Sequence, residues 1–250
     1  MKKLLAIAIF AAAAHGETGA LTLTPAVVML RGTYGQTTTQ RLTLTNGTSM
    51  HLTFELIARD VVARNGARVQ VVPGEVEGSI AATAIFSRKQ VTLRPGESAS
   101  VDATFTMPPR TAVRAVAALF RTTQPIGNGS RSMVPAVGTL LTFRLSDDID
   151  VQGSNVTVRP QSATANASFA QTATNDGREP VVAKGVVAIL DSRGALVGRT
   201  AMPPHRLLPS ERMDLKSEYP GELAPGKYRV VMTVDLEGKT LTRDAELVVK

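Results

Sequence analysis

The feature that most constrains the fold is an alternation of apolar and polar residues that recurs from residue 21 to the end of the chain. The segment SASVDATFTM, residues 98–107, places an apolar side chain at every second position. This period of two is typical of β-strands with one buried face, and no stretch after residue 20 keeps a helical period. Aromatic residues make up 4% of the chain and tryptophan is absent, so the core must be mainly aliphatic. The predicted fold class is all-β.

Turn signals divide the alternating sequence into short strands. Asn46-Gly47, Asn65-Gly66 and Pro95-Gly96 each separate two alternating runs, and dipeptides of this kind favour tight turns. Short strands at this spacing predict antiparallel β-sandwiches. The predicted strands are residues 21–30, 40–45, 51–59, 68–72, 84–93, 99–107, 114–122 and 134–145 in the first half, and 155–159, 167–174, 181–190, 196–199, 213–217, 228–235 and 240–249 in the second.

The two halves of the chain share motifs in the same order. TLTNG at residues 43–47 matches TATNDG at 172–177, and LRPGE at 93–97 matches LLPSE at 207–211. The offset falls from 129 residues for the first match to 114 for the second, so the first copy carries extra residues before Leu93. In LRPGE, Pro95 ends a strand and Gly96 can take a positive φ. The repetition of the motif as LLPSE indicates a structural corner rather than a binding loop. Tyr228 lies where immunoglobulin-like folds often place a corner tyrosine. We therefore predict two tandem immunoglobulin-like β-sandwich domains.

The amino terminus predicts export. Lys2-Lys3 followed by the apolar residues 4–14 is typical of a signal peptide, with cleavage near Gly16 or Ala20; an uncleaved anchor is the alternative. The expected organisation is a signal peptide at residues 1–16, a first domain at 17–145, a hinge at 146–153 and a second domain at 154–250. We expect a periplasmic or secreted protein with no membrane span in the mature chain, since no later run is long and apolar enough.

The residues that carry most enzyme chemistry are scarce. The chain has no cysteine, and His51 and His205 are its only histidines after residue 16. Thiol nucleophiles and multi-histidine zinc sites are thereby excluded, and we expect no enzyme and no cofactor. Basic residues are scattered and stacking aromatics are rare, which argues against nucleic acid. The linker contains three carboxylates that could bind Ca²⁺: Asp147, Asp148 and Asp150. A solvated hinge is favoured because their spacing matches no complete calcium loop.

Three stretches are similar to the PapD-like periplasmic chaperones of pilus assembly. They are LTLTPAVVMLRG with TLTN (21–46), FSRKQVTLRPGESASV (86–101) and GTLLTFR (138–144). The resemblance covers residues 21–250 and implies a non-enzymatic chaperone whose first domain cradles a pilin-like or other exported subunit. In that family the last strand of the first domain is lent to the client by β-strand addition. Two basic side chains in the cleft between the domains hold the client's terminal carboxylate.

The family's site positions can be placed on this sequence residue by residue. The anchoring arginine falls on or near Val27 and the anchoring lysine on or near Leu140, and neither residue is basic. Arg144 matches the basic residue at the end of the last strand, which Pro135 interrupts nearer its start. The candidate client-binding residues are Met133, Val137, Leu140, Leu141, Arg144 and Val27. The alternative is a secreted structural or adhesion protein, in which the first domain would expose no apolar strand face or cleft.

Overall fold

The structure, a computed structural model, describes residues 20–126, 133–162 and 165–250. The expected signal peptide, residues 1–16, lies outside these residues. Within them the chain consists of β-strands and connecting turns, with one short 3-10 helix at Ala81–Thr83. The predicted fold class, all-β with two immunoglobulin-like sandwiches, is confirmed.

The first sandwich packs two sheets against each other. One sheet has the order β1-β3-β8-β6, and the other has the order β2-β10-β9-β4-β5 with β7 also paired to β4. The rings of Phe105 on β8 and Phe143 on β10 meet edge to face at 5.9 Å and join the sheets across the core. The strands are β1 (Leu21–Thr24), β2 (Val27–Arg31), β3 (Thr37–Asn46), β4 (Leu52–Arg64), β5 (Ala67–Val71), β6 (Ile85–Phe86), β7 (Gln90–Leu93), β8 (Ser98–Thr106), β9 (Ala115–Thr122) and β10 (Ala136–Arg144).

The second sandwich is built in the same way. In one sheet β13 pairs with β11, β12 and β16, and the other sheet has the order β15-β14-β17-β18. The Tyr228 hydroxyl donates to the carbonyl of Ala224 at 2.7 Å, as expected of a corner tyrosine. Its strands are β11 (Val151–Gly153), β12 (Thr157–Arg159), β13 (Ala167–Asn175), β14 (Val181–Leu190), β15 (Leu196–Leu207), β16 (Arg212–Tyr219), β17 (Gly226–Asp235) and β18 (Thr240–Val249). The last residues of the expected hinge therefore form β11.

Some predicted strand boundaries were wrong. The predicted strand 21–30 is two strands in different sheets, because Pro25 has no N–H to continue the ladder of β1. The predicted strand 84–93 likewise divides into β6, which pairs with β8, and β7, which pairs with β4. The predicted strand 196–199 continues to Leu207, since β15 is an edge strand that tolerates Pro203 and Pro204.

The two repeated motifs contact each other in the same way in both sandwiches. Asn46 N donates to Glu97 O at 2.9 Å, and Gly96 N donates back to Asn46 O at 2.7 Å. In the second sandwich Asn175 makes the equivalent bonds with Glu211 and Ser210, at 2.9 and 2.8 Å. The corner residues Gly96 and Ser210 both take positive φ, 76° and 62°. The predicted repeat and its structural role are therefore confirmed.

The second copy of the corner also joins the two sandwiches. Glu211 is buried and paired with Arg68 of β5 at 2.7 Å, whereas Glu97 in the first copy is exposed. Arg212 N donates to Gly66 O at 2.8 Å, in the hairpin between β4 and β5. Leu208 packs into a buried cluster on β4 and β9: Val61, Ala115, Ala117. The extra residues of the first copy thus build part of the contact with the second sandwich.

Candidate functional site

The amino-terminal half of β10 has an open edge. β9 pairs with β10 from Ala136 onward, but β2 pairs with it only from Leu140 to Arg144. Leu140 N donates to Ala26 O, on the β2 side, at 3.0 Å. Because backbone groups of alternate residues point the same way, the N–H and C=O groups of Ala136 and Gly138 face this side too. Among the described residues, no strand pairs with them there.

An apolar groove lies beside the open edge. It has a volume of about 760 Å³ and runs between the start of β1 and the start of β10. Its apolar lining comes from Leu21, Met50, Ile126, Pro135 and Val137. Next to it, Met133 is 66% exposed, and its backbone pairs with that of Ile126. Unpaired backbone groups beside exposed apolar side chains are what an added strand from another protein requires.

The candidate residues on β10 and just before it fall on two faces of the sheet. By their alternation along the chain, three of them belong to the side of the sheet that faces the core: Met133, Val137 and Leu141. Their exposure nevertheless differs, since Met133 is exposed, Val137 is partly buried and Leu141 is 0% exposed. Leu140 and Arg144 face the opposite side. Leu141 packs inside the sandwich, so the structure does not place it where a client could contact it.

Arg144 is also withdrawn from solvent. Its side chain is 5% exposed, and its guanidinium donates to Glu237 Oε2 and Asp147 Oδ1, each at 3.0 Å, and to Ser146 O. These partners lie in the second sandwich and the connecting segment. Arg144 therefore holds the two sandwiches together, a role that leaves its donors occupied.

Val27 and Leu140 are brought together. They are register partners in the parallel ladder of β2 and β10, on the side of the sheet that faces away from the first core. Val27 is 51% exposed and Leu140 is half-buried. The two positions that the sequence resemblance assigns to basic anchors are therefore adjacent here, and the pair is apolar.

Leu140 and Val27 belong to a larger apolar strip. Cross-strand register places Ile57 opposite Leu119, and Ala117 opposite Leu140. Leu119 and Leu140 pack beside the cluster that contacts Leu208 of the second sandwich. We call this strip the cleft face: Ile57, Ala117, Leu119, Leu140, Val27. Leu140 on β10 and Val27 on β2 were already candidate residues from the sequence. The members on β4 and β9 were not, although period-two alternation could have indicated them.

Charge pairs join the two sandwiches, and one of them, Arg114–Glu179, is buried on both sides. Arg114 Nε lies 3.1 Å from Glu179 Oε2, with side chains 5% and 1% exposed. Glu179 also accepts from Leu145 N and Ser146 Oγ, both at 3.0 Å. Three ion pairs each join an arginine of the first sandwich to a glutamate of the second: Arg114–Glu179, Arg144–Glu237 and Arg68–Glu211. Buried pairs of this kind specify a geometry because either charge alone would be costly.

One arginine at the junction lacks such a partner. Arg206 Nη1 donates to Val28 O at 3.2 Å, next to the cleft face, and Nε is buried with no hydrogen-bond partner among the described residues. Burial lowers the pKa of the Arg206 guanidinium, Glu237 raises it, and the charge of Arg68 lowers it further. Sequence reasoning did not single out Arg206, which no motif marks.

The linker carboxylates are used within the protein. Asp147 pairs with Arg144, Asp148 lies 3.8 Å from Arg178, and Asp150 Oδ1 accepts from the Gln152 amide. The described part of the chain contains no group of three or more residues able to hold a metal ion. It also contains no helix long and apolar enough to cross a membrane.

Comparison with known proteins gives matches in structure only. No family model matches the chain, and no curated protein matches it in sequence. The class 5 fimbriae chaperone CfaA is 14% identical, with 92% of this chain and 99% of that chain covered and a TM-score of 0.46. The Pseudomonas aeruginosa CupB2 chaperone is 13% identical (90% and 100% covered, TM-score 0.42), and the E. coli chaperone DraB is 12% identical (92% and 97%, TM-score 0.42). These similar structures are chaperones, the class of protein that the three stretches of sequence also resemble.

Proposed function

We propose that this protein is an exported, non-enzymatic chaperone or assembly factor that binds an extended segment of a client protein by β-strand addition. The observation that carries the proposal is the open edge of β10 at Ala136 and Gly138. A client strand bonded there would pair with β10 in the sheet order β2-β10-β9-β4-β5, next to the segment of β10 that lies before the start of β2. Main-chain hydrogen bonds would hold the client in register, and the adjacent groove would accept its apolar side chains.

The groove and the exposed residues supply the chemistry of recognition. Met133 and Val134 are 66% and 49% exposed, and Met50 at the other wall of the groove is 40% exposed. Methionine side chains adapt to differently shaped apolar partners, which suits a site that receives an unfolded segment. A structural spacer, the alternative that the sequence leaves open, has no need of an exposed apolar groove beside an unpaired strand edge.

The client we propose is another exported protein, pilin-like or otherwise, met in the periplasm or outside the cell. An exposed strand edge is an aggregation hazard for the client as well as for the chaperone. Pairing the two edges until assembly would protect both. The catalytic inventory of the chain, with two histidines after residue 16 and no cysteine, fits a binding role.

Replacing one edge-facing amide tests the proposal. Ala136→Pro removes an N–H that points to the open edge and leaves the pairing of Val137 with Phe120 intact. The tagged protein is expressed in its own host and purified from the periplasm, with Ile85→Asp as the control because Ile85 is exposed on the other sheet. We expect a stoichiometric client with the wild type and Ile85→Asp and its loss with Ala136→Pro at an unchanged unfolding midpoint. Absence of any client, or its retention by Ala136→Pro, would overturn the proposal.

A further inference from the structure

The cleft face combines an apolar floor with a basic rim. Arg59 lies in the same cross-strand row as Ala117, Leu140 and Val27, at the β4 end of the row. Arg31 shares the outward side of β2 with Val27, since alternate strand residues face the same way. Arg206 reaches the rim from the second sandwich through its bond to Val28 O.

In residues 20–126, 133–162 and 165–250, none of the three rim arginines forms an ion pair: Arg31, Arg59, Arg206. The carboxylates around the face are already bound to other arginines: Glu55 to Arg121, Glu211 to Arg68, and Glu237 to Arg144. The Glu237 charge also acts on Arg206, so the positive charge left uncompensated around the apolar centre is that of Arg31 and Arg59.

The positive charges lie around the apolar residues of the face. Arg59 on β4 and Val27 on β2 are separated by β9 and β10, which is three strand spacings or about 14 Å. Val27 and Leu140, at the β2 end of this row, are both apolar, so they offer no pair of cations to a terminal carboxylate. Separate acidic groups on an extended segment can reach the rim arginines, with apolar side chains over Leu119 and Leu140 between them.

We infer that the cleft face binds a segment of the client that carries apolar residues flanked by acidic side chains, and that this contact does not depend on a free terminal carboxylate. The inference rests on the proposed function, because it assumes that one client contacts both the open edge of β10 and the cleft face. Charge complementarity then selects among clients, whereas the backbone bonds at Ala136 and Gly138 accept any extended chain.

Synthetic peptides test the inference on the mature protein. The probes are Ac-DDVTVTVDD-NH2, the same peptide with a free carboxyl terminus, and Ac-KKVTVTVKK-NH2, each with a fluorescent label for anisotropy. We expect the acidic amide to bind about tenfold more tightly than the basic peptide, since two to three weak ion pairs together reach that ratio. The acidic amide and the free acid should bind within about twofold of each other.

Charge reversal separates a rim effect from misfolding. Arg59→Glu and Arg206→Glu should each lower the affinity for the acidic peptide and raise it for the basic one, a gain that a misfolded protein would not show. Arg88→Glu is the control. Arg88 is exposed on the turn between β6 and β7, outside the cleft face, and it forms no ion pair within the described ranges. Leu140→Asp should weaken binding of the acidic peptide.

The outcomes distinguish this inference from the proposed function. If Ala136→Pro abolishes peptide binding while flanking charge and Arg59→Glu have no effect, strand addition stands and the inference about the cleft face falls. If the charge reversals act and Ala136→Pro does not, the cleft face stands and strand addition falls. Equal binding of acidic and basic peptides, dependence on a free carboxyl terminus, or no binding of any peptide each overturns the inference.

Discussion

Arg114 of the first sandwich and Glu179 of the second form an ion pair at 3.1 Å in which both side chains are almost fully buried. Arg114 is further held by the carbonyls of Thr111 and Val113, at 2.6 and 3.0 Å. The pair thus connects the entry to β9 with the loop before β14. It is a buried ionic contact across the junction between the two sandwiches.

Removing one charge of this pair should be costly. Glu179→Ala leaves the Arg114 guanidinium buried without its carboxylate, and we expect a loss of about 3–5 kcal/mol in the free energy of unfolding. Arg41→Ala is the matched control, since it breaks the exposed Arg41–Asp102 pair and should change the free energy of unfolding far less. Urea denaturation measures both. Similar losses for the two variants would show that the buried pair has no special role.

The two copies of the corner give a reciprocal test of backbone strain. Ser210 holds φ 62° where Gly96 holds 76°, and a residue with a Cβ is strained in this region. We expect Ser210→Gly to raise the free energy of unfolding by about 0.5–1 kcal/mol and Gly96→Ser to lower it by a similar amount. Thermal and urea denaturation check the pair. Changes of the same sign in both variants would contradict the equivalence of the corners.

Two glycines in strands differ in what a side chain would meet. A Cβ on Gly185 of β14 would collide with the carbonyl oxygen of Thr233 on β17, whereas one on Gly138 would first meet the tip of the Leu119 side chain. A backbone oxygen held in a ladder cannot move as a side chain can. Gly185→Ala should therefore cost about 3 kcal/mol and Gly138→Ala about 1 kcal/mol. Equal unfolding midpoints for the two variants would refute this difference.

Acid should weaken the turn between β14 and β15. Backbone N–H donors at Ala195 and Arg193 lower the pKa of Asp191, and the Arg193 charge contributes. A carboxyl whose pKa is lowered in the folded state stabilises the fold fully above its unfolded pKa of about 3.9, and this contribution is lost as pH falls through the lower folded-state pKa. The difference in stability between wild type and Asp191→Asn should shrink from about pH 6 to about pH 2.5. A constant difference would contradict the assignment.

The fold was largely predictable because its signals are local. Period-two alternation, the Asn-Gly and Pro-Gly turns, the doubled corner and Tyr228 each depend on a few neighbouring residues. Strand ends were less predictable where pairing decides them: alternation runs on through Pro25, and only the sheet to which each half belongs divides β1 from β2.

The candidate site was predicted in part. The sequence located β10 and the positions of Val27 and Leu140, but it could not say which residues of β10 are paired on both sides. Leu141 and Arg144 were therefore chosen although the first is buried in the core and the second is bound to Glu237. Ala136 and Gly138 carry no side-chain signal. Their importance arises from where β2 begins to pair with β10, which is a property of the fold alone.

Amide hydrogen exchange of the complex with its co-purified client tests strand addition most directly. The N–H groups of Ala136 and Gly138 face the open edge, whereas those of Val137 and Thr139 are on the side paired with β9. If the client adds a strand to β10, exchange at Ala136 and Gly138 slows markedly on binding while exchange at Val137 and Thr139 changes little. Unchanged exchange at Ala136 and Gly138 in a stable complex would contradict the account.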